Sequence, residues 1–269
     1  MMDLVVSTLG LELESNKNNK FGFMKRGRIL PLFYFCAWLS AQQSISLSDI
    51  PTGENVKQSG KKLMKFDDGF IEIIAGESAD LDTVYVAVHG YGSRGYEWVD
   101  ALRTMAETGK KTLFYRYDWN LCPKVISDKL SADLAAWLKQ NESSPYLIIF
   151  SHSYGGTVTT SFSGTYSLDV SAEIHSIAAP LGHHIRFSEK CGYENGILFD
   201  STFTLANGIK HIQWRTSHSA DGAFRNLEID PQIVQIKGST VHELPATFRG
   251  GKRLGHNWSV TYVIEQVFR

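Results

Sequence analysis

Two kinds of hydrophobic spacing alternate along the chain. Thr83–Val88 (TVYVAV) and Tyr146–Phe150 (YLIIF) are continuous β-branched, aliphatic and aromatic runs. That is the pattern of strands buried on both faces. Thr112–Tyr117, Ile174–Ala178, Lys210–Arg215 and Ile233–Ile236 read as further strands, and Lys62–Phe66 and Phe70–Ile74 as two short ones around the turn Asp67-Asp68-Gly69. Between them apolar residues recur at helical spacing. Trp98, Ala101, Leu102 and Met105 form one face, and Leu130, Leu134, Trp137 and Leu138 a second, with Ser127 or Asp128 placed to cap it. Val260, Val263, Ile264 and Val267 mark a last helix. Strand–helix alternation requires crossover connections, so the expected fold is α/β, a mostly parallel sheet with helices on both faces. Residues 42–62 read as an extended lead-in. The segment from Leu181 to Gly208 breaks the alternation, and so long an irregular connection points to a functional cap. Its Phe187, Phe199, Phe203 and Leu205 either line an acyl-binding cap or simply cover the sheet.

Residues 1–23 show no fold-like pattern. From Met24, the cations Lys25, Arg26 and Arg28 precede an apolar stretch from Ile29 to Leu39, and Ser40-Ala41 supplies small residues before Gln42. This is the order of a secretory signal peptide, and the apolar stretch falls short of the roughly 20 residues that span a bilayer. The expected organisation is therefore an extension over 1–23, a leader over 24–41 starting at Met24, and a single domain over 42–269 with its cap at about 181–208. The expected location is secreted or periplasmic. Cys36 lacks the small residues that a lipoprotein site needs before it. Beyond the leader, Cys122 and Cys191 either pair, as an oxidising compartment permits, or stay as buried thiols. With 43% hydrophobic and 20% charged residues the composition is ordinary for a globular protein, and a formal net charge of −1 gives no electrostatic reason to expect a nucleic-acid partner.

Directly after TVYVAV comes HGYGSRGYEW, in which Gly90, Gly92 and Gly95 spell G-x-G-x-x-G. Asp118, at the end of the next strand, would complete a dinucleotide-binding fingerprint. Two strand-like runs precede the motif, however, where the fingerprint belongs on the first strand of its unit. A second reading couples the loop to LIIFSHSYGG at residues 147–156, where S-H-S-Y-G stands in place of G-x-S-x-G. A serine between a buried strand and a helix sits on a strained turn with small neighbours at −2 and +2. Gly155 satisfies the second requirement, and Ser151 is small enough for the first. Acyl transfer also needs preorganised N–H donors for a developing oxyanion. Tyr91, in His89-Gly90-Tyr91-Gly92, and Tyr154, which follows the serine, supply them.

A serine nucleophile needs a base, and the base needs an orienting carboxylate. Of nine histidines, His256 is best placed, on the loop before the last helix. His152 is expected to point away from the pocket, His175 to sit in a strand, and His242 to follow the strand Ile233–Ile236 too closely. The pair His183-His184 could bind metal but lacks further spaced ligands. The acid should follow a strand between serine and histidine. Asp221 is the first choice, Asp230 the second, and Asp118 a poorer one because it precedes the serine.

Ser153, Asp221 and His256 in this order, with HGYG upstream, resemble the α/β-hydrolase superfamily and its secreted lipase and esterase branch, over roughly residues 62–269. The resemblance implies an eight-stranded, mostly parallel sheet with an antiparallel strand near its start. It also implies carboxylic ester hydrolysis through an acyl-enzyme on Ser153, without metal or organic cofactor. SIAAPLG resembles the stretch that runs into the acyl pocket of many lipases, which implies substrate contact at Leu181, beside Gly90 and Gly92 on the donor loop. The implied partner is a small-molecule or lipid ester, with transient contact to a lipid interface as an option. The same triad also serves acyltransferases, thioesterases and amidases. An inactive binding module and a dinucleotide-binding oxidoreductase are the remaining alternatives.

Overall fold

A computed structural model of the chain describes residues 43–76, 79–184 and 188–269. The expectations for 1–41 and for Phe187 lie outside the described residues. Eight strands form one sheet. They are β1 (Gln43–Ser46), β2 (Gly69–Ile74), β3 (Asp80–Val88), β4 (Lys110–Arg116), β5 (Tyr146–His152), β6 (Ala172–Ile177), β7 (Ile209–Arg215) and β8 (Ser239–Glu243). Their spatial order is β1-β2-β4-β3-β5-β6-β7-β8. Strands β3 to β8 run parallel, β2 is antiparallel to β4, and β1 is parallel to β2. Two strands therefore run against the parallel body. Among the described residues no helix is long and apolar enough to cross a membrane.

The period-2 pleat divides TVYVAV between two cores. Val84, Val86 and Val88 join Leu130, Leu134, Val158 and Phe162 of helices α3 (Pro123–Gln140) and α4 (Tyr154–Gly164). Tyr85 and Ala87 join the opposite core, with Leu63 of α1 (Val56–Leu63) and Trp98, Leu102 and Met105 of α2 (Tyr96–Ala106). The short helix α5 (Ser188–Cys191) lies in the cap segment, and the last helix, α6 (Gly255–Val267), adds Val260, Val263 and Ile264 to the α1 and α2 side. A small hairpin, β9 (Thr247–Phe248) and β10 (Lys252–Arg253), precedes α6.

Several sequence expectations are corrected. The expected lead-in is structured from residue 43 onward, holding β1 and most of α1. Lys62–Phe66 is not a strand, because its first residues finish α1. Ile233–Ile236 forms no strand, and the edge strand is the polar β8. Ser127 and Asp128 do not cap α3, which begins at Pro123 with Cys122 as its N-cap. Cys122 and Cys191 are disulfide-bonded, fastening the cap segment to the start of α3. Phe199 packs on Phe203 with ring centroids 4.8 Å apart, and both belong to the core beneath the cap segment. Leu205 packs there too, so these side chains cover the sheet.

Candidate active site

Strand β5 ends at His152, and α4 starts at Tyr154, which leaves Ser153 alone to turn the chain. It does so at φ +52° and ψ −121°, a conformation that a side-chain-bearing residue adopts only under constraint. The constraint is visible on both sides. A methyl at Gly155 would lie 2.4 Å from the carbonyl oxygen of His89, so no larger residue fits between α4 and the end of β3. At −2, Ser151 is fully buried, and its hydroxyl is engaged with Thr159 Oγ1 at 2.7 Å and with the His175 carbonyl at 2.9 Å. The serine that replaces glycine in the motif is thus held by hydrogen bonds. The N–H of Tyr154 opens α4, where the helix dipole favours negative charge.

Asp221 follows β7 on a short helical turn and is completely buried. Its Oδ1 accepts the amides of Ala223 at 2.8 Å and Phe224 at 3.2 Å. Its Oδ2 accepts the Thr216 hydroxyl at 2.5 Å and pairs with His256 Nδ1 at 2.9 Å. Burial pushes this carboxyl up, but the His256 hydrogen bond and charge, with the Thr216 and Ala223 donors, outweigh it and leave it below the ordinary carboxylate value. His256 therefore has Nδ1 committed to Asp221. Its ring lies edge-on to Phe224 at 5.0 Å and 4.6 Å from the ring of His152. Ser153 and His256 line one cleft of about 250 Å³, with Gly90, Tyr91 and Gly92 at its edge. No hydrogen bond joins their side chains among the described residues. Such contacts commonly tighten only when substrate is bound.

The loop that begins at His89 is anchored by that residue's own ring. His89 is buried and stacks on Tyr117 at 4.3 Å. Its Nδ1 meets the Gly90 carbonyl at 2.9 Å, and the Tyr117 hydroxyl donates to the His89 carbonyl. Burial lowers its pKa to about 3, so the ring stays neutral.

The structure brings together Ser153, Asp221 and His256 and places Tyr91, Gly90 and Gly92 at their cleft. It separates the alternatives. Asp230 bonds to Gln232, and Asp118 is exposed and bonds to Asn120. His242 stacks on Trp214 within the edge strand, and His175 receives the Trp214 indole N–H at 2.9 Å. Two expectations are corrected. Leu181 is 2% exposed and packs in the core, and no described residue of the cap segment lines the cleft. His152 lines the cleft rather than pointing away, and its Nε2 donates to the His256 carbonyl at 3.1 Å. Glu97, also in the wall, carried no sequence signal beyond its place after the donor loop. Among the described residues no cluster of three or more His, Cys, Asp or Glu could hold a metal ion.

This strand order, with a strained serine at the β5–α4 turn and a buried Asp–His pair after later strands, defines the α/β-hydrolase fold. Solved structures similar to the chain include a Bacillus licheniformis lipase in mature form, at 14% identity and TM-score 0.48 over 74% of this chain and 97% of that one. Another is a Xanthomonas campestris α/β serine hydrolase without lid, at 13% identity and TM-score 0.48 over 74% and 88%. A putative thioesterase from Silicibacter sp. covers 86% and 93%, at 12% identity and TM-score 0.48. No family model matches the chain, and no curated protein matches it in sequence.

Proposed function

We propose that the chain is a serine hydrolase that cleaves carboxylic esters. The observation that carries this reading is the buried Asp221–His256 pair facing a cleft shared with the strained Ser153. Ser153 Oγ attacks the acyl carbon while His256 Nε2 takes its proton. Asp221 holds Nδ1–H and so fixes the basic tautomer. The N–H groups of Tyr91 and Tyr154 stabilise the oxyanion. Collapse of the tetrahedral adduct breaks the ester bond, and His256 returns the proton to the leaving alcohol. Water then attacks the acyl-enzyme through the same base, releasing the acid and Ser153.

The cleft's modest volume and its polar wall support a short, polar ester rather than a long acyl chain. The Cys122–Cys191 bond supports a secreted or periplasmic setting, where disulfides persist. Acyl transfer and thioester or amide cleavage share the acyl-enzyme, and product analysis with alcohol, amine and water acceptors separates them. Ser153→Ala is expected to abolish p-nitrophenyl acetate turnover and fluorophosphonate labelling while the melting temperature holds. Turnover equal to the parent protein would refute the reading.

A further inference from the structure

Ester hydrolysis as derived above leaves Glu97 without a task. It lies in the first turn of α2, is 8% exposed, and lines the cleft of Ser153 and His256. One carboxyl oxygen, Oε1, accepts the Ser93 hydroxyl. The other, Oε2, is buried and has no hydrogen-bond partner among the described residues. A buried acceptor without a donor is unfavourable, and native proteins seldom retain one unless some other group completes it. The last torsion of a glutamate is soft, so the carboxyl can turn this oxygen to a group entering the cleft. Burial raises the Glu97 carboxyl above its ordinary value, against the lowering effects of the Ser93 hydroxyl, of its own backbone N–H and of the nearby His256.

The neighbours specify which part of a substrate would meet it. Asn257 Nδ2 donates to the Tyr96 hydroxyl at 2.8 Å. Tyr96 precedes Glu97 on α2, and Asn257 follows His256 on α6, so the two helix starts make one polar wall. His256 delivers its proton to the leaving oxygen, which places the leaving alcohol on this wall. Arg94 lines the same cleft, and its positive charge disfavours a cationic donor.

We propose that Glu97 is a specificity-determining residue whose unpartnered carboxyl oxygen accepts a second hydroxyl of the leaving alcohol, making monoesters of polyols the preferred substrates. The inference rests on the ester-hydrolase reading.

The test compares kcat/KM for 2-hydroxyethyl acetate and propyl acetate, in which a methyl replaces the hydroxyl. The native protein should favour the hydroxyl ester by about tenfold or more, as for a hydrogen bond to a charged group. The ratio should fall to near one in Glu97→Leu and severalfold in Glu97→Gln, whose amide keeps the shape. A ratio near one in the native protein, or unchanged in the variants, overturns the proposal. Should the leucine variant fail to melt cooperatively, the glutamine variant decides. On the acyl side, methyl glycolate is intrinsically more reactive than methyl propionate, so there the ratio should be the same in the native protein and in Glu97→Leu; a ratio that the variant lowers more on the acyl side than on the alcohol side overturns the assignment to the leaving group. A preference for acetylcholine over 3,3-dimethylbutyl acetate that Glu97→Leu removes would assign the site to ammonium groups and overturn the hydroxyl. Native protein that neither labels at Ser153 with a fluorophosphonate nor turns over p-nitrophenyl acetate overturns both readings. Labelling with a flat ratio overturns this one alone.

Discussion

The carboxylate of Asp221 is bonded so completely that its replacement has a definite chemical consequence. In Asp221→Asn the amide oxygen keeps the two backbone donors, Ala223 and Phe224, on the Oδ1 side. The amide nitrogen then faces His256 Nδ1 and can only donate to it. The imidazole must carry its proton on Nε2 and is lost as a base. Turnover of p-nitrophenyl acetate is expected to fall about 10⁴-fold, as for the corresponding change in a Ser-His-Asp triad. A loss below tenfold would show that Asp221 does not set the tautomer. That Ser153, Asp221 and His256 come together was legible in the sequence, because the first two follow strand patterns and the third precedes the last helix. His152 was misjudged, yet strand alternation explains it. Phe150 and His152 share a face of β5, and that face carries α6. Ser151 points to the opposite face, where Thr159 of α4 receives it. Glu97 was illegible because its unpartnered oxygen depends on how two distant helix starts meet.

At the scale of elements, α1 is the piece whose importance composition concealed. A methyl on Gly60 would lie 2.3 Å from the Tyr96 nitrogen and 2.6 Å from the Arg94 carbonyl. The clash is with backbone, which cannot swing aside. Gly60→Ala should therefore cost about 1–3 kcal/mol of stability. It should also lower kcat/KM, because the displaced residues 94–96 lead into the cleft wall. Chemical denaturation and p-nitrophenyl acetate kinetics read both effects, with the exposed Gln58→Ala as the control. A full-stability, full-activity Gly60→Ala would refute the buttressing role. The exchange of Ile233–Ile236 for β8 has a similar lesson. Val234 and Ile236 are apolar because they cover the core, and the Val234 carbonyl accepts Arg215. Strand β8 is an edge whose residues are mostly exposed, so only its pairing with β7 defines it.

For the whole molecule, buried histidines set the response to acid. Burial holds His89 at about 3 and His211 at about 4, and His152 well below the ordinary value. Below pH 6.5 the unfolded chain binds protons that these folded sites refuse, so stability falls as pH drops toward 4. His89 and His211 each contribute about 1 kcal/mol per pH unit over that window. Asp221, lowered when folded, adds a loss only below about pH 4. Denaturant unfolding at pH 7.5 and pH 5 should show the drop, and His211→Gln should lessen it; a flat profile would contradict the neutral buried rings. The parallel body of the sheet was legible from strand–helix alternation, whereas the direction of β1 was not, since a four-residue polar strand leaves no pattern. The bond between Cys122 and Cys191 has one more consequence, because the loop it closes contains β5, Ser153 and α4. A protease that nicked the chain within that loop, for instance at the exposed Glu142, would not release a fragment. The piece bearing β3 and the glycine loop after it and the piece bearing Ser153, Asp221 and His256 would travel together until a reductant parted them.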